Sequence, residues 1–281
     1  MPDTVAIIQG RMGSSRLPGK VLRDIGGKPM LQHVIERVSL AKTLQLVMTA
    51  TSTDSADEPI ADYCAANGIP CYRGSLHDVL DRFYQASKWQ NARTIVRITA
   101  DCPLIDPVLI DQAVQLVTNS DSSHNFDFTA NRLPPPYHRT FPIGLDVEVC
   151  TFAALERAWR ESKETFHREH VMPYLYEGVE LAAKAGNIST GTSLRGFRIG
   201  MTNHTSDHGS QRWTVDTPED LLFIEQIYQR LVINQLAGPG IKPCFSWLDV
   251  LSIVEKEPEL AMINSQVRHK TMTEVDERAI K

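Results

Sequence analysis

From residue 5 to residue 119 short β-branched runs alternate with amphipathic segments, and this rhythm constrains the fold more than any other feature of the chain. Val5–Gln9 reads as a strand, and a helix opens at Pro29 with Leu31, Val34, Ile35 and Val38 turned inward. Proline at the first helical position and apolar spacings of three and four support that helix. A strand at Leu46–Thr51, a helix at Glu58–Asn67 stopped by Gly68, a strand at Pro70–Arg73 and a helix at Asp78–Trp89 follow. Thr94–Thr99 is a further strand, and Pro107–Asn119 a further helix whose Val108, Ile110, Ala113, Val114 and Val117 are expected to face a core. Such alternation implies right-handed βαβ crossovers onto a mostly parallel sheet, a doubly wound α/β fold.

Past residue 120 the rhythm changes. Ser120–Asn125 is a polar loop, and Asn131–Phe141, with three consecutive prolines, is irregular. Gly144–Cys150 alternates as a strand, and Thr151 caps a helix through Glu161. Ala182–Ile188 and Leu194–Met201 read as strands of a smaller sheet extension. Thr217-Pro218-Glu219-Asp220 opens a helix by the N-cap, N1-proline and acidic first-turn rules. Ser246–Lys256 is helical and Val267–Lys281 a polar tail. The 281 residues are 42% hydrophobic and 22% charged, which suits a globular chain. A net charge of −5 argues against a nucleic-acid partner, whose binding needs a dominant positive field. No run approaches the ~20 apolar residues of a membrane span, so a cytoplasmic address without membrane contact is expected. The five cysteines contain no C-x-x-C and suggest buried thiols. His204 and His208 are four apart, but their neighbours read as loop rather than as a metal-bearing helix.

The candidate site begins in Gly10–Lys20, which leaves the carboxyl end of the first strand, where open α/β sheets place ligands. Small residues allow backbone N–H groups to approach phosphate oxygens, and Arg11, Arg16 and Lys20 supply the countercharge. With Arg23 and Lys28 against Asp3 and Asp24, the first 30 residues are basic inside an acidic chain. Gly13 and Gly19-Lys20 enclose five residues where a Walker A loop has four, and Val21 replaces its Ser/Thr. No G-x-G-x-x-G is present in the segment. Polyphosphate chemistry commonly uses Mg²⁺ held by one or two carboxylates. Asp101, just past the Thr94–Thr99 strand, and Asp216, just before the Thr217 cap, are the candidates; each could equally be a turn or capping aspartate.

The run Ile7 to Lys20 resembles the signature of the cytidylyltransferases that make CMP-activated acidic sugars, the group holding CMP-Kdo and CMP-acylneuraminate synthetases and the spore coat polysaccharide biosynthesis protein F type. The likeness continues through Gly27-Lys28-Pro29-Met30, Arg73, Arg82, Thr99 to Leu104 and Val215 to Leu221. It implies a fold of the nucleotide-diphospho-sugar transferase kind, with a nucleotide-binding half at 1–120, a sugar-binding and dimerisation lobe at 121–235 and a helical extension and tail at 236–281. It implies that Arg11, Gly13, Ser14, Ser15, Arg16, Lys20, Arg73, Arg82 and Asp101 bind CTP, with Arg11, Lys20, Asp101 and Asp216 catalytic. Asp101 and Asp216 would hold Mg²⁺, and the subunit would form a homodimer. The Gly-Ser-Leu-His-Asp-Val-Leu-Asp run between Arg73 and Arg82 departs from the family's Ser-Gly-Thr pattern.

On the acceptor side, Asp146 alternates with Glu148 on a strand, and Arg168-Glu169-His170 precedes the apolar Val171–Tyr176 of a helix. An arginine beside Glu and His could grip a sugar carboxylate and hydroxyls. The expected reaction is attack of an anomeric hydroxyl of a 2-keto acid sugar on the α-phosphorus of CTP, for surface polysaccharide synthesis. Alternatives are transfer with another base or to a phosphonate or sugar phosphate, a non-catalytic nucleotide-binding module, and a glycosyltransferase. The last commonly carries Asp-x-Asp, which Asp54-Ser55-Ala56-Asp57 does not match.

Overall fold

The computed structural model describes residues 3–119, 125–183, 186–235, 237–238 and 243–268. In chain order the first half comprises β1 (Thr4–Gln9), β2 (Asp24–Ile25), β3 (Lys28–Pro29), α1 (Met30–Val38), β4 (Leu46–Ser52), α2 (Glu58–Ala66), β5 (Cys71–Gly74), α3 (Val79–Gln90), β6 (Thr94–Thr99) and α4 (Pro107–Thr118). The second comprises β7 (Phe128–Ala130), β8 (Glu148–Thr151), α5 (Phe152–Glu161), α6 (Thr165–His170), α7 (Pro173–Tyr176), β9 (Ala182–Ala183), β10 (Ile188–Thr192), β11 (Arg198–Thr202), α8 (Pro218–Ile233), α9 (Trp247–Lys256) and α10 (Glu259–Met262).

One nine-stranded sheet runs through both halves in the order β5-β4-β1-β6-β8-β7-β11-β10-β9. The first four strands are parallel; β8 joins β6 and β7 antiparallel, and β11 is parallel to β7. The smaller extension is thus the continuation of the same sheet, formed by β9, β10 and β11 rather than by strands at Ala182–Ile188 and Leu194–Met201. Helices cover both faces, and β1 shows why Val5–Ile8 are all apolar: Ala6 and Ile8 pack with Leu31, Ile110 and Ile224, whereas Val5 and Ile7 pack with Phe83, Leu155 and Leu175. Each buried isoleucine of this kind stabilises the fold by about 1.5–3 kcal/mol.

Several expectations need correction. Pro29 stands before α1 as its N-cap, because it first pairs with Asp24 in the β2–β3 hairpin. Val108 is 55% exposed: it lies in the first turn of α4, on the face away from Ile110 and Val114. The strand expected at Gly144–Cys150 starts only at Glu148, since Gly144 has φ +104° and a Cβ there would stand 2.6 Å from the Thr214 nitrogen. Arg168-Glu169-His170 ends α6 rather than preceding a continuous helix; Val171, at φ +71°, breaks the chain before α7. The polar segment at 120–124 and the tail from 269 lie outside the described residues. Among the described residues no helix is long and apolar enough to cross a membrane.

Candidate active site

From β1 the chain runs outward to β4 and β5, then returns to pair β6 with the other side of β1. That reversal opens a crevice beyond the carboxyl ends of β1 and β6, the position open α/β sheets use for ligands. Gly10 follows β1 and Asp101 follows β6. The strand ends approach so closely that a Cβ on Gly10 would be 3.1 Å from that of Ala100.

The loop after Gly10 is held by its own backbone and by one distant carboxylate. Ser14 and Gly19 N–H groups both donate to the Met12 carbonyl, at 2.9 and 3.0 Å. Gly19, at φ +71°, turns the chain into a short 3-10 turn that carries Lys20. Met12 N–H donates to Asp57 Oδ1 at 2.7 Å, and Ser52 donates its hydroxyl to the other oxygen. Asp57 therefore anchors the phosphate loop, and Asp54 caps the 3-10 turn before it.

Lys20, only 8% exposed, ties the loop to both candidate aspartates. Its ammonium donates to Asp101 Oδ2 at 2.7 Å, to the Val215 carbonyl at 2.7 Å and to Asp216 Oδ1 at 2.8 Å. Burial disfavours the charged amine, but the two carboxylates more than offset this and raise its pKa above the ordinary value. Asp216 Oδ2 accepts from Arg212 at 2.7 Å and pairs with Arg16 at 3.0 Å. Burial favours its protonated form, yet Lys20, Arg212 and Arg16 prevail and hold it well below the usual carboxylate range. Asp101 Oδ1 accepts from the Thr99 hydroxyl at 2.6 Å. Behind these groups Arg212 forms a two-point bridge to the fully buried Asp220, at 2.8 and 2.9 Å. Asp220 also closes the Thr217 capping box at the start of α8.

A cavity of about 370 Å³ opens over this network, lined by Arg11, Gly13, Ser14, Ser15, Arg16, Lys20, Asp101 and Asp216 together with Glu169 and His170 from α6. A second, of about 420 Å³, adjoins it and shares Arg11, Gly13, Glu169 and His170; Arg82 and His77 line its wall. Arg82 is 1% exposed, and its Nε and Nη1 have no hydrogen-bond partner among the described residues. Burial pushes its pKa down to about 10; Arg11 and Arg97 reinforce the shift and Asp57 opposes it. Buried donors left open at a cavity wall are ready for an anionic or carbonyl ligand.

Three expected site residues lie elsewhere. Arg73 donates to the Ser52 carbonyl and pairs with Glu58, on an open shelf with Cys71 and Trp89. Arg168 clamps Asp78 and the Trp159 carbonyl, because successive helical residues point about 100° apart and Glu169 takes the cavity-facing direction. Asp146 is held by Arg139 and lines neither cavity. Conversely Arg97, paired with the buried Glu148, and Arg132 do line the first cavity. A lone arginine inside the apolar Thr94–Thr99 strand was the available signal for Arg97. His204 and His208 pack edge-on against Trp247, with ring centroids 4.9 and 5.7 Å away.

The two carboxylates meet at the Lys20 ammonium, at 2.7 and 2.8 Å, and offer only hard oxygen donors, the kind that Mg²⁺ takes. Among the described residues no group of three or more His, Cys, Asp or Glu closes around a cation. Any such ion would take its remaining ligands from phosphate and water, as Mg²⁺ prefers.

The cytidylyltransferase family model matches residues 5–237. An uncharacterised protein of Methanocaldococcus jannaschii is 35% identical over 97% of this chain and 99% of its own. The spore coat polysaccharide biosynthesis protein SpsF of Bacillus subtilis is 28% identical over 93% of this chain and 98% of its own. The solved structure of a cytidylyltransferase from Leptospira borgpetersenii superposes with a TM-score of 0.78 at 28% identity, over 95% of this chain and 99% of that one. By these matches, and by a phosphate loop and two aspartates gathered at one sheet edge, this chain belongs to the cytidylyltransferase family.

Proposed function

We propose that the protein transfers CMP from CTP to the anomeric hydroxyl of a 2-keto acid sugar, with release of pyrophosphate. The observation that carries this reading is the meeting of two cavities at the phosphate loop, with the Lys20 ammonium locked between Asp101 and Asp216 at their junction. The triphosphate would lie along the loop against Arg11, Arg16 and Lys20. The base would enter the second cavity, where Arg82 presents unpartnered donors. The acceptor would occupy the far end of the first, where Arg132 reaches Asp146 only at 3.8 Å and has donors left for a carboxylate.

The sugar oxygen attacks the α-phosphorus as its proton is released, a new P–O bond forms, and the bond to the β-phosphate oxygen breaks. The difficulty is electrostatic, since a nucleophile must approach a polyanion. The lining cations Arg11, Arg16, Lys20, Arg82, Arg97 and Arg132 are matched one for one by Asp54, Asp57, Asp101, Glu148, Glu169 and Asp216. A triphosphate therefore enters a site with little surplus positive charge, which favours a divalent cation arriving with it. Asp101 and Asp216 would hold that Mg²⁺, which when bound offsets charge on the phosphate oxygens. Fixed positions for Arg11, Arg16 and Lys20 orient the chain of phosphates without reorganisation at the moment of reaction.

The similarity to a spore coat polysaccharide protein supports a surface glycan as the destination of the sugar, made by a cytoplasmic homodimer. The test is twofold. CTP with Mg²⁺ should raise the melting temperature more than ATP, GTP or UTP does, because a ligand selective for the native state stabilises it. Pyrophosphate release should then appear with CTP and a member of a 2-keto acid sugar panel. Equal thermal shifts for all four nucleotides would refute base selection, and release only with sugar phosphates would refute the acceptor.

A further inference from the structure

We propose that residues 259–268, beyond the part of the chain that the family model matches, complete the active site, with Asn264 as a positioning residue for Asp216. Asn264 is 3% exposed and lies between α10 and the polar tail that begins at Val267. Its side-chain amide donates to the Arg212 carbonyl at 2.9 Å and to Asp220 Oδ1 at 3.0 Å. Asp220 is the hub of the site's support. Its Oδ2 accepts from the Asp216 and Thr217 N–H groups at 2.9 and 3.1 Å, and both oxygens accept from Arg212. Arg212 in turn fixes Asp216 Oδ2. Asn264 is thus two hydrogen bonds from the carboxylate that holds Lys20 and Arg16.

A carboxylate with no exposure needs every donor it has, because an unmet acceptor in the interior keeps its full desolvation penalty. Without the Asn264 amide, Asp220 Oδ1 keeps the Arg212 Nε–H as its donor, and the guanidinium would turn from Asp216 toward Asp220. The same segment continues to the cavity mouth, where the Arg268 carbonyl accepts from Arg16 Nη1 at 3.3 Å. The chain end therefore touches the site twice, once behind Asp216 and once beside the loop.

The inference rests on reading the cavity as a polyphosphate site and not on the choice of base, so inorganic tripolyphosphate with Mg²⁺ is the probe. Asn264→Leu keeps the branched outline and removes the donor; Asn264→Ala is the alternative should the larger leucine not fit. Residues without ligand contact typically alter coupling by two- to thirty-fold in affinity, and a loss of about five-fold or more is expected here. Val254→Ala, which hollows α9 without touching the network, should lower the melting temperature yet bind the probe as the wild type does. Unchanged affinity in the Asn264 variants, or an equal loss in Val254→Ala, would overturn the proposal. CTP binding no better than ATP, with the Asn264 effect intact, would remove the cytidylyl reading alone.

Discussion

The two sides of the cavity, which the proposed reading gives to the phosphates and to the acceptor, are built by opposite strategies. On the phosphate side one continuous loop, Gly10–Lys20, supplies most of the lining, and Lys20 meets Asp101 and Asp216 at 2.7 and 2.8 Å. On the acceptor side Arg97, Arg132, Glu148, Glu169, His170 and Tyr176 arrive from separate elements, one or two at a time. Phosphate is recognised by closely spaced backbone N–H groups and cations, which a short local motif can carry. A sugar is recognised by side chains converging from several directions, and convergence belongs to the fold. The neighbours Arg168 and Glu169 make the contrast concrete: one braces Asp78 and Trp159 while the other faces the ligand space.

If the phosphate side is one cooperative unit, its aspartates should be the most sensitive positions in the molecule. Asp216→Asn keeps the shape, and α8 keeps its cap, which is Thr217. Loss of one anionic oxygen from the pair proposed to hold Mg²⁺ should nonetheless lower pyrophosphate release by about ten-fold or more, each 1.36 kcal/mol of barrier being ten-fold in rate. Asp101→Asn should behave alike, and the double variant should fall far short of the product of the two effects. Near-wild-type rates across a Mg²⁺ titration in Asp216→Asn would return that residue to a purely structural role.

Lys20→Met probes the same unit through binding. A charge-assisted contact is worth ~1.5–3 kcal/mol, so CTP affinity should fall by ten-fold or more while CMP affinity changes little. Equal losses for both nucleotides, measured by calorimetry, would mean that the ammonium does not face the outer phosphates.

The smallest effects should separate Arg132, on the cavity wall, from Arg168, which braces Asp78 and Trp159. Arg168→Met removes the Asp78 and Trp159 contacts and should lower the melting temperature by a few degrees, as expected for ~1–2 kcal/mol in a chain of this size, with the acceptor KM unchanged. Arg132→Met should do the reverse, raising the acceptor KM several-fold with the CTP KM and the melting temperature held. A raised acceptor KM in Arg168→Met alone would restore the reading of that arginine as the carboxylate grip and break the comparison.

Much of this was legible in one dimension. The strand and helix rhythm through residue 119, the Thr151 and Thr217 caps, the basic loop and the two aspartates each follow from local rules, because capping, periodicity and phosphate binding use residues only a few positions apart. Local rules could not say that the second half would extend the same sheet, since strand pairing is a long-range choice. Nor could they send Arg73 to an outer shelf, bring Arg97 and Glu148 to the cavity wall, or leave Arg82 buried with open donors. Those outcomes depend on which side of a strand or helix a side chain leaves and on what packs there. Asn264 lies furthest from sequence reasoning: its meaning is given by Arg212, 52 positions away, and by Asp220, 44 away. The sequence by itself determined the doubly wound class, the basic Gly10–Lys20 loop and the places of Asp101 and Asp216 at the ends of elements, because short-range stereochemistry encodes them. Only the tertiary structure decided which charged residues share the cavity, because burial, register and distant hydrogen-bond partners exist only once the chain has folded.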